Sequence, residues 1–493
     1  MTQKSKIISG TFIYSLSNYV VIAIGFCLGI FTKRILNVVG TGEWYFIFAF
    51  LPIGLYMDFG ILNAIVRQIP RDIGAGDPEH AEKIKNAAFT YIIFCSFVNV
   101  VIFLLISLLF PHNTLIKSGI ALLGLLVPLT LLYNLNISLF WAHKEIKRLS
   151  LVIIINSLLT NLLNIAFSWR FGSLGIVFAA IITSSLMFFF SSKIGRFKFK
   201  WNFDIRACKE LIGIGFAINL CSILGTIFYN VDKIVIGRFI GFEQLGLYTI
   251  AVTALVTTSK LPSSFLIVWF PYLQEEYGKH KDILLLKDKL LRSMSCVVII
   301  FPIFLVFVFL FMSTIVHYFL PKFVNGIPAM MVLLFGYYFM LLKDIPYNIL
   351  YTVNKQKYIA ATLACLLLLY VPAISFFAIR GLGIISIAYS TAVMYLLYFL
   401  SMFFLGFRQI ISAKKQAVLL LSIFTVYAYA VMSFTAINRL VSLNYIFWEA
   451  VLKMIIFGVV YLPFLIYIEK KEGLLKHIIA SITKKMRLSH VLN

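Results

Sequence analysis

Acidic residues are scarce in this chain. Its 493 residues include 19 Asp and Glu against 43 Lys and Arg, and all charged residues together make up only 13%. An ordinary soluble domain is about 25% charged and about 45–50% apolar, whereas 61% of this chain is hydrophobic. That balance excludes a water-surrounded globule and leaves a membrane protein. Motifs of catalysis are missing as well. The chain has no Gly-x-x-x-x-Gly-Lys-[Ser/Thr] loop for nucleotide phosphates, no Gly-x-Ser-x-Gly turn for a nucleophile and no His-Glu-x-x-His zinc site. Its seven His are scattered, with no pair at helical spacing. Its six Cys (Cys27, Cys95, Cys208, Cys221, Cys296 and Cys365) include no Cys-x-x-Cys pair. They read as small buried hydrophobes, not as bridges or metal ligands. No metal, cofactor or catalytic residue is expected. Strand-like alternation does not recur either, which favours helices over a transmembrane barrel.

Apolar runs are what the chain has in abundance. About 20 such residues span a bilayer as a helix. Fourteen candidate spans follow, at 10–32, 42–65, 86–110, 115–139, 149–168, 172–194, 211–236, 245–268, 294–320, 327–350, 358–379, 382–406, 416–437 and 445–468. Basic residues test that count. With a cytoplasmic N-terminus, 31 of the 43 Lys and Arg fall in alternate segments on the cytoplasmic side, nine fall on the other side, and Lys260, Lys343 and Lys453 lie inside spans. Positive charge collects on the cytoplasmic side of membrane proteins, so both termini are expected there. A miscount by one would have scrambled the alternation. The net charge of +24 is thereby explained without nucleic acid. Lys4 and Lys6 precede a long apolar run with no small-residue cleavage site, the pattern of a signal anchor. The external loops are short, so no sizeable external catalytic loop is expected. The fold class is an all-α polytopic membrane protein.

The two halves resemble each other. "KRILNVVGTGEWY" at 33–45 lies on "GRFIGFEQLGLY" at 237–248, pairing Arg34 with Arg238 and Tyr45 with Tyr248. "HKEIK" at 143–147 lies on "NKQKY" at 354–358, and "WRFGSLGIVFAA" at 169–180 on "IRGLGIISIAY" at 379–389. Each copy holds six spans, so both have the same orientation, as in parallel-repeat transporters. The expected domains are an N-terminal six-helix lobe (1–200), a C-terminal six-helix lobe (201–410), and two further spans with a basic tail (411–493). Two such lobes around a central cavity suit alternating access. Gly25–Gly29 and Gly237–Gly241 have the spacing of close helix packing.

Charges at membrane depth are the candidate site. An ionisable group at a helix centre costs at least about 2.5–3.5 kcal/mol on insertion scales, so such groups face protein or a wet cavity. The candidates are Lys33, Arg34, Asp58, Arg67, Asp232, Lys233, Arg238, Lys260, Lys343 and Asp344. Lys260 and the Lys343–Asp344 pair adjoin Pro262 and Pro346, where a helix kinks and frees carbonyls. Adjacent Lys and Asp point about 100° apart on a helix and need not pair. Glu449 and Lys453 read as helix-end charges or members of structural ion pairs. The excess of cations favours an anionic cargo, since Lys and Arg match phosphate oxygens.

The motifs "GTGEWYFIFAFLPIGLYMDFGILNAIVRQI" and "VDKIVIGRFIGFEQLGLYTIA", with Asn156, Asn161, Gly172 and Gly175, resemble the polysaccharide flippases, the O-antigen (Wzx-type) branch of the superfamily that includes multidrug and toxin extruders. The resemblance spans roughly residues 5–410. It implies a bacterial inner-membrane flippase carrying undecaprenyl-diphosphate-linked oligosaccharide, an O-antigen or other surface repeat unit, from the inner to the outer leaflet. It implies a cationic cavity, with Arg34, Asp58, Arg67, Asp232 and Arg238 at family-motif positions. The implied partners are the lipid-linked substrate, membrane lipids, a polysaccharide polymerase with its chain-length machinery, and a coupling ion, H+ or Na+. A peptidoglycan lipid-precursor flippase and a cation-coupled multidrug antiporter are the alternatives. The second half has "LPSSFLIVWFPYL" in place of the first half's Asp-x-Gly motif, so the halves are not expected to act identically.

Overall fold

The computed structural model describes residues 3–110, 113–202 and 204–472; side chains are described everywhere there except at 3–13, most of 260–280, 467–472 and a few single positions. The basic C-terminal tail and the side chains of Lys4, Lys6 and Lys260 lie outside the described residues. Among those described, the chain is helical with no strand. Backbone groups in hydrocarbon must bond within their own segment, and these apolar sequences do so as helices.

Helix α1 (Gln3–Ala49) turns sharply at Asn37 (φ 57°, ψ −170°) and so serves the first two spans. After it come α2 (Leu51–Leu55), a 3-10 turn at Tyr56–Asp58, and α3 (Ile61–Gly74). The expected span 42–65 is therefore not one helix. Phe59 (φ 49°) and Gly60 (φ 85°) are left-handed, and the Asp58 carboxylate accepts the N–H groups of Gly60 and Leu62, both at 3.1 Å. A carboxylate that takes nearby backbone donors competes with the helix and restarts it.

Helices α4 (Pro78–Ser107) and α5 (Thr114–Ala142) follow, then α6 (Ile146–Gly195), which turns at Gly172 (φ 60°, ψ −139°) and again holds two spans. Helix α7 (Ile205–Val235) runs into a π turn at Ile236–Ile240 and stops at Gly241 (φ 122°), where α8 (Phe242–His280) begins. The remaining helices are α9 (Lys287–Phe319), α10 (Ile327–Leu342), α11 (Asp344–Thr352), α12 (Gln356–Ile379), α13 (Gly383–Phe407), α14 (Ala413–Leu440) and α15 (Ile446–Glu472). Eleven described segments are long and apolar enough to cross a membrane. Two of them, α1 with its continuation and α6, contain two spans each, and α8 supplies another, which is how fourteen spans fit.

The duplication is plainer in the backbone than in the sequence. Left-handed residues recur at equivalent places: Asn37 and Gly241, Gly76 and Lys281, Lys144 and Asn354, Gly172 and Gly381. Asp77 and Asp282, next to the second pair, each cap the helical turn that follows. The Asp58 break has no such counterpart, because α8 runs uninterrupted.

The helices sort into two compact units. One holds Met1–Ile250 and Leu363–Ile387. Its core includes Tyr133, Phe140, Leu149, Val152 and Met187. Asp204 caps α7 and accepts from Lys83 of α4 at 2.7 Å; the Lys83 bond, with backbone N–H groups, holds the Asp204 carboxyl at about 2, below its ordinary 3.8. The other unit holds Ala251–Thr362 and Ala388–Asn493. Helix α10 is almost wholly buried there. Its Tyr338 hydroxyl donates to Val298 O at 2.9 Å and its ring stacks on Tyr427 at 5.0 Å. Helices α14 and α15 pack on α9. Lys453 of α15 bonds Glu449 and, at 2.7 Å, Asn438 Oδ1 of α14, which makes it a structural ion pair and not a bare helix-end charge.

Candidate functional site

Beyond the Asn37 and Gly241 breaks, the two copies of the repeat touch within the first unit. A Cβ on Gly42 would stand 1.8 Å from Phe242 O, and one on Gly246 would stand 2.0 Å from Val38 O. Positions 38 and 242, like 42 and 246, are equivalent in the repeat. Each segment thus gives its counterpart the contact it receives, as in an isologous interface. Glycine at both positions is what lets the backbones approach so closely. Phe46 packs beside this seam, on the Phe242 and Phe110 rings at 5.4 and 5.5 Å. By contrast, no described atom lies within 4 Å of where a Cβ on Gly25 or Gly29 would stand. The close packing expected of that pair is not found, because the contact forms beyond the Asn37 break instead.

Three candidates collect at the seam. Lys33 is buried, with its Nζ 3.4 Å from Thr249 O, 3.5 Å from Thr249 Oγ1 and 5.4 Å from the Tyr45 ring centroid. Asp232 is buried; its Oδ2 accepts from the Tyr248 hydroxyl at 2.8 Å and its Oδ1 lies 3.2 Å from Lys233 Nζ. Lys233 also donates to Tyr229 O. A buried carboxylate without donors is costly, and here two donors compensate it. Tyr248 is the partner that sequence reasoning missed as a site residue, although its pairing with Tyr45 in the repeat was visible. Glu43, an acid at membrane depth outside the chosen site set, accepts from Ser173 Oγ at 2.6 Å, tying α1 to α6 next to the Gly172 turn.

Arg34 and Arg238 flank the same breaks, each three residues ahead of its left-handed residue. Both are exposed. Neither has a carboxylate partner among the described residues; Arg238 lies over the Phe110 ring at 5.6 Å. Asp58 sits apart from them at its helix break, and Arg67 is exposed on α3. For Lys260 only its place in α8 is described.

In the second unit, Lys343 and Asp344 bond each other where α10 gives way to α11. Lys343 also lies over the Tyr347 and Tyr398 rings, at 5.2 and 5.5 Å. Adjacent Lys and Asp need not pair on a helix, and both the 232–233 and 343–344 neighbours do. A long Lys stem reaches back to its neighbour, and burial makes leaving either charge alone the costlier choice. The Cys reading also needs correction: all six are free, but Cys27 and Cys365 are exposed.

This all-α, many-span architecture recurs in known structures. A lipid II flippase MurJ in an inward closed conformation matches with a TM-score of 0.70 at 14% identity, covering 93% of this chain and 99% of its own. An inward-facing multidrug resistance MATE family transporter of the MOP superfamily matches with 0.65 at 14% identity, over 80% and 94%. A MOP superfamily transporter from Pyrococcus furiosus matches with 0.58 at 14% identity, over 84% and 96%. No curated protein matches by sequence. The polysaccharide biosynthesis protein family matches residues 44–323, more than half of the chain. The chain belongs to that family.

Proposed function

We propose that this protein is a flippase carrying an undecaprenyl-diphosphate-linked oligosaccharide from the cytoplasmic to the outer leaflet of a bacterial inner membrane. The observation that carries the reading is the pair Arg34 and Arg238. They occupy equivalent positions in the repeat, beside paired backbone breaks, and both residues are exposed without a carboxylate partner among the described residues. Planar guanidinium forks suit phosphate oxygens, and two of them match a diphosphate. Lys33 and Lys233 lie in the same segments, with Asp232 paired to Lys233. The family membership and the transporter fold support lipid-linked cargo. An O-antigen unit and a peptidoglycan precursor share the diphosphate.

Alternating access would take the cargo from one leaflet to the other, and the Gly42–Gly246 seam is a place where such a cycle can close one side. Deleting the gene tests the reading. Loss of surface polysaccharide, with a lipid-linked repeat unit accumulating on the cytoplasmic leaflet, supports it. Normal polysaccharide with a new sensitivity to cationic dyes overturns it in favour of a drug antiporter. Arg34→Glu and Arg238→Glu are expected to abolish export from a protein that still inserts.

A further inference from the structure

One end of the first unit holds a polar cavity of about 310 Å³. Its walls come from the end of α3 (Ile69 and Ile73), the start of α4 (Glu82 and Lys85), the α5–α6 turn (His143 and Glu145) and the residues that close α6 (Gly195, Arg196 and Phe197). The Gly172 turn, tied to Glu43 beside the seam, lies at the other end of the second half of α6, about 35 Å away at 1.5 Å per residue. The cavity is therefore separate from the charges at the seam, at the end that loop charge assigns to the cytoplasm. Its volume is at the small end of ligand sites, which run about 300–1,000 Å³.

The walls are fixed by the protein itself. A Cβ on Gly195 would stand 2.4 Å from the Phe197 ring, so glycine there lets the ring lie against the end of α6. The same ring packs on Phe140 at 5.0 Å and on His143 at 6.0 Å. Just beyond it, the Lys200 N–H donates to Asn86 Oδ1 and the Asn202 N–H to Thr90 Oγ1, both at 3.0 Å, which fastens the connecting segment to α4. Lys85 is buried and bonds Glu82. Glu145 accepts from Arg148 Nη1 on both oxygens at 2.8 Å. Arg196 differs from the rest. It is left-handed (φ 54°), at the place past a helix end where Gly or Asn is usual, and its side chain makes no hydrogen bond or ion pair among the described residues. A costly backbone state held by a residue other than glycine points to a use for its side chain.

The lining selects by charge. Lys85 and Arg196 balance Glu82 and Glu145, so the wall carries no net charge while His143 is neutral. His143 Nδ1 lies 2.8 Å from Leu139 O. A carbonyl only accepts, so Nδ1 carries the proton and Nε2 of the neutral ring is an acceptor. An anion would face two carboxylates and a cation two bases. An apolar guest would strip water from these polar groups and return no hydrogen bond. A neutral ligand dense in hydroxyls can donate to the carboxylates and to Nε2 and accept from Lys85 and Arg196, while its C–H face covers Phe197 and Ile73.

We propose that this cavity binds a neutral saccharide of one or two rings, at a site separate from the one that would take the diphosphate. The Arg196 guanidinium and the two carboxylates hold its hydroxyls, and Phe197 is its platform. The ring has two possible sources with one chemistry: a free cytoplasmic saccharide, or the glycan of a lipid-linked cargo, which rests on the flippase reading.

The test is saturation-transfer NMR on the purified full-length protein in lauryldimethylamine oxide, a detergent with no sugar head, without lipid-linked cargo. The probes are glucose, galactose, mannose, rhamnose, N-acetylglucosamine, N-acetylgalactosamine, lactose and cellobiose. Saturable binding of at least one is expected, with its 1-phosphate and its amino derivative bound about ten-fold more weakly or worse. Arg196→Gly is the deciding variant. Glycine suits a left-handed residue, so the melting temperature should hold or rise, while binding weakens about ten-fold or more with the guanidinium gone. Phe197→Ala should weaken binding too. Lys144→Gly makes the same backbone change at a left-handed cation outside the lining and should leave binding unchanged. A polyprenyl-diphosphate oligosaccharide that displaces the bound sugar identifies the cargo glycan as the source; one that does not identifies the free saccharide. No binding of any neutral sugar, tighter binding of a charged derivative, or full binding in Arg196→Gly would overturn the proposal. Transport is not read, so failure of the flippase reading leaves the result standing.

Discussion

Gly246→Ala puts the seam to a quantitative test. The new Cβ would begin 2.0 Å from Val38 O, and ordinary contact starts at 3.4 Å, so the two backbones must part by about 1.4 Å. Overpacking of a tight contact costs about 1–3 kcal/mol. Replacing Gly by Ala inside a helix returns up to about 1 kcal/mol. The packing loss wins, and a net destabilisation of about 1–2 kcal/mol is expected. Gly25→Ala, where no described atom lies within 4 Å, should show only the helix gain, so the two substitutions are predicted to have opposite signs. Thermal unfolding reads the sign, and hydrogen exchange over residues 38–46 and 242–249 reads the place, with faster exchange expected in Gly246→Ala alone. A Gly246→Ala protein as stable as wild type, with unchanged exchange in those segments, would refute the tight seam.

Other predictions concern the charged groups. Tyr248→Phe removes a donor to a buried carboxylate and should cost about 1.5–3 kcal/mol, seen as a lower melting temperature. Lys453→Met leaves the half-buried Glu449 with only the Leu443 N–H and should destabilise more than the Lys453→Met/Glu449→Gln pair, since removing one partner of an ion pair costs more than replacing both; unfolding of both variants compares them, and export by the double variant should persist. The depressed Asp204 carboxyl contributes stability that is complete above its ordinary value of 3.8 and lost as pH falls towards about 2. Exchange protection at the start of α7 should therefore hold at pH 5 and fade between about pH 4 and 2. In Asp204→Asn that fading should be absent, with protection already lower at neutral pH.

The span count was legible because hydropathy and loop charge are one-dimensional signals. Fourteen spans could be read although Asn37 and Gly172 sit inside elements that run on through their turns. The break at Asp58–Gly60 was not read as one, since a capping carboxylate inside an apolar run looks like any other intramembrane charge until its hydrogen bonds are seen. Positions were legible where partners were not. Lys33, Asp232 and Lys233 were picked out for being charged, but their contacts with Thr249 and Tyr248 depend on two helices crossing at Gly42 and Gly246.

Reconstitution tests the central claim most directly. The purified protein is placed in vesicles bearing a fluorescent polyprenyl-diphosphate oligosaccharide, and a membrane-impermeant reagent that modifies the sugar reports the fraction exposed outside. Flipping is expected for wild-type protein, with Arg34→Glu and Arg238→Glu at the level of empty vesicles. Wild-type vesicles no faster than empty ones, with the protein folded and both leaflets loaded, would contradict the account.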